Sequence, residues 1–206
     1  MTEQTGQHAR ESRRVVLLMG MSLDGFGAGG WTPSHARPED EAEMFDEVWR
    51  QLEAVDTFLF GRASFEIWQR AWPPLATDAK SSAFERRFSR YVDDIQKVVY
   101  SRTLESVSWR NARLVTGSIA EDVARMKRTP GRDMIIAGGS RIAAAFGELG
   151  LIDEYRLWLH PTILGHGEPL LGKVKERKDL RLIEAKPFRS GAVALHLVPR
   201  SELAHS

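Results

Sequence analysis

Short apolar runs that alternate with amphipathic segments constrain this chain more than any other feature of its sequence. Each run is about as long as a β-strand. In the first run, apolar residues occupy both the odd and the even positions, whose side chains point to opposite faces of a strand. A strand of that kind is buried on both faces, which is typical of a parallel sheet covered by helices. The six runs that we interpret as strands of one sheet are residues 14–21, 56–61, 97–101, 112–117, 133–139 and 153–161.

Several of the segments between these runs carry apolar residues at helical spacing. Ser118 and Glu121 form a Ser-x-x-Glu capping box at the start of one predicted helix, and Gly150 is a natural end for another. Residues 71–82 contain neighbouring prolines and are interpreted as a loop. The helices are predicted at residues 39–53, 62–70, 118–128 and 140–149.

Strands that alternate with helices predict an α/β fold with three layers, in which a mostly parallel sheet has helices on both faces. Residues 180–186 and 192–198 flank a Ser190-Gly191 turn and predict a C-terminal antiparallel hairpin, so the sheet is mixed. The predicted organisation is a disordered lead at residues 1–12, a single domain at 13–200 and a frayed tail at 201–206.

Composition argues against several classes of function. The 206 residues are 42% hydrophobic, which is enough for one domain with a sizeable core. A net charge of +1 without a basic stripe argues against nucleic acid and against an anionic membrane surface. The chain has no cysteine and its histidines lack metal-ligand spacing, so no metal site is predicted. Without a signal-like or membrane-spanning apolar segment, a cytoplasmic location is expected.

Glycine, hydroxyl and arginine residues follow three of the predicted strands. Unpaired N–H groups at a helix N-terminus bind anions, and glycine lets a phosphate approach the backbone closely. Three such segments at one edge of a sheet suit a ligand with separated phosphates, such as NADPH. A plain strand-to-helix turn remains the alternative for the glycine pair, since neither a Rossmann nor a Walker motif is present. The residues are Gly61, Arg62 and Ser64, then Ser101 and Arg102, then Gly138, Gly139 and Ser140.

The order of these motifs resembles the dihydrofolate reductase-like superfamily, which includes the reductase domain of the bifunctional riboflavin-biosynthesis deaminase/reductase. The resemblance covers residues 14–199 and implies a three-layer dihydrofolate reductase-like fold with NADPH as cofactor. Five segments carry it in order: "MSLDGFGAG" (21–29), "LFGRASFE" (59–66), "VVYSRTL" (98–104), "IIAGGSRIAAAF" (135–146) and "GLIDEYRLWLHPTILGHGEPLL" (150–171).

The resemblance assigns the first cofactor residues. Gly61, Arg62 and Ser64 match the Gly-Arg-x-Ser/Thr segment that lies at the cofactor phosphates in the family. Ser101 and Arg102 match the segment near the adenosine 2′-phosphate.

The resemblance also assigns the opening of the last helix. Gly138 and Gly139 match a glycine pair that the family often joins by a cis peptide bond. Ser140, Arg141 and Ile142 follow at the position of the pyrophosphate. A substitution at the second glycine is therefore expected to weaken cofactor binding far more than folding.

The acceptor side of the site matches the family less well. Riboflavin reductases usually carry Ser-Leu-Asp-Gly-Lys, and here Phe26 takes the place of the lysine. Dihydrofolate reductases carry a carboxylate in the first helix, where alignment places Phe45, with Asp46 beside it. Asp24 is a candidate catalytic residue, although it also suits an Asp-Gly turn. Trp31, Phe45 and Asp46 are candidate substrate-binding residues, and the proton donor stays unassigned.

The expected function is therefore an NADPH-dependent reductase that transfers hydride to a small heteroaromatic or ribosyl-type substrate. The alternative is an NADPH- or nucleotide-binding homodimeric protein without reductase activity, which the missing lysine and the unassigned acid favour. The family often forms homodimers through its C-terminal strands, and the apolar stretch around Trp158 suits either an interface strand or the core. Gly147→Ala, inside the last helix, is expected to be a neutral control.

Overall fold

The computed structural model describes residues 12–27 and 38–200, with side chains from residue 42 onward in the second range. The predicted disordered lead and frayed tail lie outside these residues, apart from Ser12. No helix in the described part of the chain is long and apolar enough to cross a membrane. In chain order the elements are β1 (Val15–Ser22), α1 (Pro38–Leu52), β2 (Val55–Gly61), α2 (Arg62–Ala71), a 3-10 helix (Pro73–Ala76), α3 (Ala83–Asp94), β3 (Gln96–Tyr100), β4 (Ala112–Val115), α4 (Ile119–Lys127), β5 (Asp133–Ile136), α5 (Ser140–Glu148), β6 (Glu154–His160), β7 (Leu180–Pro187) and β8 (Val193–Pro199).

The strands form one mixed sheet in the order β4-β3-β2-β5-β1-β6-β8-β7. Every neighbouring pair from β4 to β6 is parallel, whereas β8 runs antiparallel to both β6 and β7. The parallel sheet and the C-terminal hairpin predicted from the sequence are thus confirmed. Parallel strands end on the same side, and we call that side the carboxyl edge. It is formed where the strands end, at Val115, Tyr100, Gly61, Ile136, Ser22 and His160.

Helices cover both faces of the sheet. On one face Val48 of α1, Phe65 of α2 and Phe88 of α3 pack into one apolar core. On the other face Val123 of α4 and Phe146 of α5 pack into a second core. Each of these side chains is at most 2% exposed, so both faces of the central strands are shielded from water. The result is the three-layer α/β architecture that the alternation of strands and helices predicts.

Helix α3 is the main element that the sequence analysis did not predict. Its N-terminus carries a complete capping box, in which Ser82 Oγ accepts the Glu85 N–H and the Glu85 carboxylate accepts the Ser82 N–H. Phe88 and Val92 then bury one side of the helix against the sheet. The capping signal is visible in the sequence, but the following segment is rich in charged residues, which hides its apolar face.

Two smaller predictions differ in outcome. The box predicted at Ser118 is half formed, because the structure shows only the bond from the Glu121 N–H to Ser118 Oγ, at 3.3 Å. Gly150 does end α5, with a φ of 66° that places it in the left-handed region glycine favours.

Lys97 is a fully buried cation at the start of β3. Its Nζ donates hydrogen bonds to the carbonyl oxygens of Asp93, Ile95 and Arg110, at 2.9–3.0 Å. The ammonium also lies 4.6 Å from the centre of the Trp109 ring. Burial lowers the pKa of Lys97 to about 8. Lys97 thus closes the C-terminal end of α3, where carbonyl groups otherwise lack partners.

We predict that Lys97→Met removes a pH dependence of stability. The unfolded chain, with a lysine pKa of 10.5, binds more protons than the folded chain between pH 8 and pH 10. The free energy of unfolding of the parent therefore rises with pH in this window, by up to about 1.4 kcal/mol per pH unit. Lys97→Met should lack that rise and should lose about 1–3 kcal/mol from the three unpaired carbonyls. Urea unfolding at pH 7, 8, 9 and 10 measures both effects, and a constant difference between the proteins would contradict the account.

Candidate functional site

The three segments that the sequence singled out lie side by side at the carboxyl edge, because β2 is placed between β3 and β5. Arg62 Nη1 donates to Thr103 Oγ1 at 3.0 Å, which joins the end of β2 to the loop after β3. Ser64 Oγ accepts the Gly139 N–H at 3.3 Å, which joins α2 to the turn after β5. Hydrogen bonds therefore hold the three strand ends together as one surface.

Two helices begin at this surface without a capping side chain. Gly61 precedes α2 and Gly139 precedes α5, and neither N-terminus has a side-chain cap. The helices α3 and α4 differ, since Ser82 and Ser118 accept first-turn N–H groups there. Helix N-termini with unpaired N–H groups and a positive dipole end attract anions. The first turns of α2 and α5 therefore form a surface suited to phosphate groups.

The two glycines of the turn after β5 have different surroundings. A Cβ on Gly138 would lie 2.6 Å from Ile142 Cγ2 and 2.8 Å from Ser64 Oγ, so this position has no room for a side chain. A Cβ on Gly139 would meet nothing within 4 Å. Ile142 itself is buried, and its side chain belongs to the second apolar core. Every described peptide bond is trans, so the cis bond implied by the resemblance is not found at Gly138.

The loop after β3 carries the predicted residues for the 2′-phosphate. Ser101 Oγ accepts the N–H groups of Thr103 and Leu104, at 3.2 and 3.1 Å, and so fixes the turn. Arg102, within that turn, is exposed. Arg102 lies two residues after the end of β3 at the carboxyl edge, and its exposure leaves it accessible to a ligand.

Glu168 is a residue of the site that the sequence analysis missed. Its carbonyl oxygen accepts the Ser140 hydroxyl at 3.1 Å and the Gly27 N–H at 3.3 Å. Its carboxylate pairs with Arg141, whose Nε lies 3.1 Å away. Glu168 thus ties the loop after β6 to the start of α5 and to the loop after β1. The available signal was an acidic residue within the segment "TILGHGEP".

Asp24 binds the loop that follows β6. Its carboxylate accepts the Ser22 hydroxyl at 2.6 Å and the N–H groups of Leu164 and Gly165, at 3.2 and 2.8 Å. The Ser22 hydrogen bond, with help from these N–H groups, lowers the pKa of Asp24 to about 2. The residue is therefore ionised at neutral pH and positions the neighbouring loop. Its contact with a substrate stays a prediction.

The remaining candidate residues, those expected to bind the substrate, are Phe45, Asp46 and Trp31. The ring of Phe45 stacks on Phe84 with centroids 3.7 Å apart, so one of its faces already packs between α1 and α3. Asp46 is exposed on α1. Trp31 lies outside the described residues, and its role as a substrate contact stays a prediction.

A cavity of about 240 Å³ lies away from the carboxyl edge, between α1 and the strands β6, β8 and β7. Glu47 pairs there with Lys186 at 2.8 Å and with Arg50 at 2.6 Å. Arg156 pairs with Glu154 at 2.9 Å. Because these charges are neutralised within the protein, the cavity offers less to a charged ligand than the open helix N-termini do.

Comparison with known proteins shows which family has this fold. Residues 13–194 match the family model of the RibD C-terminal domain. The chain belongs to this family. The uncharacterized protein YyaP of Bacillus subtilis (strain 168) is 33% identical over 185 residues, which cover 90% of this chain and 94% of YyaP.

Solved structures show the same fold at low identity. Dihydrofolate reductase from Enterococcus faecalis, complexed with NADP(H), is 11% identical with a TM-score of 0.59, and the match covers 92% of this chain and 99% of that one. The diaminohydroxyphosphoribosylaminopyrimidine deaminase/5-amino-6-(5-phosphoribosylamino)uracil reductase of Thermotoga maritima is 15% identical with a TM-score of 0.59, over 92% of this chain and 57% of that one. The fold is dihydrofolate reductase-like, and the family supports a reductase-type function in general.

We predict that alanine substitutions at Gly138 and at Gly139 change the free energy of unfolding by different amounts. Gly138→Ala should lower the free energy of unfolding by about 1–3 kcal/mol, because its Cβ crowds Ile142 and Ser64. Gly139→Ala should change it by less than about 1 kcal/mol, because its Cβ enters open space. Urea unfolding without ligand measures both, and equal losses would contradict the account.

The structure also corrects the control expected from the sequence. A Cβ on Gly147 would lie 2.9 Å from Val174 Cγ2, so Gly147→Ala requires a shift of that side chain. Gly117→Ala is a better control, because a Cβ at Gly117 meets nothing within 4 Å.

Proposed function

We propose that the protein is a reductase that uses NADPH. The observation that carries this proposal is the pair of uncapped helices, α2 and α5, that begin side by side at the carboxyl edge. Arg62, Arg102 and Arg141 add three arginines at the same edge. Arg62 pairs with Glu66 at 2.8 Å and Arg141 with Glu168 at 3.1 Å, and both side chains remain at least half exposed. Separated cationic positions around free backbone amides suit a dinucleotide with a pyrophosphate and a further phosphate.

The residues present fit NADPH in a specific arrangement. The first-turn amides of α5, with Ser140 and Arg141, would hold the pyrophosphate, and the open space at Gly139 leaves room for it. Arg62 and the start of α2 would contact the phosphates from the adjacent strand. Ser101 and Arg102 would meet the adenosine 2′-phosphate. When bound, NADPH supplies a hydride from its nicotinamide ring.

The chain's own contribution to the reaction is position and electrostatics. Asp24 holds residues 162–165 beside the end of β1 through its bonds to Leu164 and Gly165. A carboxyl group with a pKa of about 2 is a poor proton donor at neutral pH, so we assign proton delivery to solvent. The substrate is a small heteroaromatic or ribosyl-type molecule with a reducible C=N or C=O bond.

The second candidate is a nucleotide-binding protein without reductase activity. The absence of an assigned acid favours it. Loss of nicotinamide absorbance in the presence of a panel of heteroaromatic and carbonyl acceptors distinguishes the two functions. Turnover supports the reductase, whereas tight NADPH binding without turnover for any acceptor supports the binding protein.

We predict that Arg102→Ala weakens NADPH binding by about 10- to 100-fold and leaves NADH binding nearly unchanged. A charge-assisted hydrogen bond to the 2′-phosphate has that magnitude, and NADH lacks this phosphate. Fluorescence titration of the reduced nicotinamide measures both affinities. Arg128→Ala, at the exposed C-terminal end of α4, is the matched control. An equal loss for the two cofactors would rule out the 2′-phosphate role.

We further propose that the protein is a homodimer. The edge strand β7 exposes Leu182 and Ile183, at 53% and 44%, and β8 beside it is only half-buried. A two-fold interface there would bury self-complementary apolar surface.

We predict a mass near twice the 23.2 kDa chain by light scattering. Leu182→Glu should shift the protein toward the monomer, because a charged side chain would be buried at the interface. A parent mass near 23.2 kDa at micromolar concentration would contradict the dimer.

A further inference from the structure

Exposed apolar side chains flank the carboxyl edge on the side away from the arginines. Leu23 is 60% exposed, Ile163 is 71% exposed and Leu164 is 39% exposed. We call these three residues the acceptor rim. The Leu23 N–H donates to the Thr162 carbonyl at 2.8 Å and the Asp24 carboxylate accepts the Leu164 N–H, so the rim is held together by hydrogen bonds.

The acceptor rim adjoins the surface assigned to the cofactor. The loop that carries Leu23 continues to Gly27, where an added Cβ would lie 2.9 Å from Ser140 Oγ at the start of α5. The loop that carries Ile163 continues to Glu168, whose carbonyl accepts the Ser140 hydroxyl. Both loops therefore run from the rim to the proposed pyrophosphate position. A molecule on the rim lies next to the bound cofactor.

The charges on this side have the opposite sign to those on the cofactor side. Within the described residues of the two loops, 22–27 and 161–172, there is no Lys or Arg. The acidic residues of these two stretches are Asp24 and Glu168. The arginines lie instead after β2, after β3 and in α5. The Glu168 carboxylate is paired with Arg141 at 3.1 Å and with Lys173 at 3.7 Å, whereas the Asp24 carboxylate accepts hydrogen bonds from the Ser22 hydroxyl and from backbone N–H groups. A phosphorylated acceptor would therefore meet the Asp24 carboxylate without a guanidinium or ammonium group beside it.

We propose that the acceptor rim selects an apolar acceptor that is neutral or cationic, and that it excludes phosphorylated ones. This inference rests on the proposed function. Three exposed apolar side chains gain by being covered, since burial removes their surface from water. A phosphate at this place would be desolvated beside the Asp24 carboxylate. Phe26 adds a half-buried aromatic side chain to the loop that carries Leu23.

Matched probes test the inference. We would measure the affinities of 4-butylbenzaldehyde, 4-formylphenyl phosphate and 4-(trimethylammonio)benzaldehyde by NMR titration, with the protein saturated with NADP⁺. We expect the neutral and cationic probes to bind at least about 10-fold more tightly than the phosphate, given the loss of hydration of a charged group. A preference for the phosphate, or no binding of any probe, would overturn the inference.

Lysine substitutions in the acceptor rim test whether the rim itself causes the preference among the probes. Leu23→Lys and Ile163→Lys should weaken the neutral probe by about 5- to 10-fold and strengthen the phosphate, because each change removes apolar surface and adds a cation. Leu149→Lys is the matched control, since Leu149 is 50% exposed but lies at the far end of α5. Equal effects of the three variants would overturn the inference.

Two further measurements distinguish a failure of the proposed function from a failure of this inference alone. NADPH affinity of the parent is measured first, and its absence would overturn the proposed function and this inference with it. NADPH binding with a preference for the phosphate probe overturns the inference alone. A fall in the mass of Ile163→Lys by light scattering would assign the rim to a contact between two copies of the chain and would also overturn it.

Discussion

Parallel pairing of β3, β2, β5, β1 and β6 is the constraint on which the site depends. Parallel neighbours require crossover connections, so each strand ends at the carboxyl edge and the chain must turn there. At β2 and β5 the chain turns directly into a helix, and glycine at each helix start leaves the first amides without a side-chain partner. The free N–H groups are therefore a consequence of the parallel topology and of the two glycines, and they make a surface suited to phosphate groups.

The two sides of the edge have different chemistry, and the loops after β1 and β6 join them. Arginines and free amides gather where β3, β2 and β5 end, whereas carboxylates and exposed leucine and isoleucine side chains gather beside β1 and β6. Asp24 and Glu168 cross-link these loops through backbone groups, which fixes the apolar rim relative to α5. An edge with arginines on one side and apolar side chains on the other suits an anionic cofactor that lies beside a less polar substrate.

The sequence predicted the order of the strands along the chain and the three strand-end segments that meet at the carboxyl edge, because the period of apolar residues and the glycines at strand ends are local signals. It missed α3, whose apolar face is diluted by charged residues, and it gave no sign that Lys97 is buried, since lysine is rarely found in a core. It also could not separate Gly138 from Gly139, because the difference lies in Ser64 and Ile142, which only the folded chain brings near. The paired state of Asp24 likewise depends on a loop 140 residues away.

We propose above all that the carboxyl edge holds the phosphates of NADPH. Phosphorus NMR of NADPH during titration with the protein tests this most directly, because the pyrophosphate and the 2′-phosphate give separate signals. Both signals should shift and broaden in a saturable way as the amides of α5 and the Arg102 guanidinium bind them. Signals that stay unchanged at protein concentrations well above micromolar would contradict it.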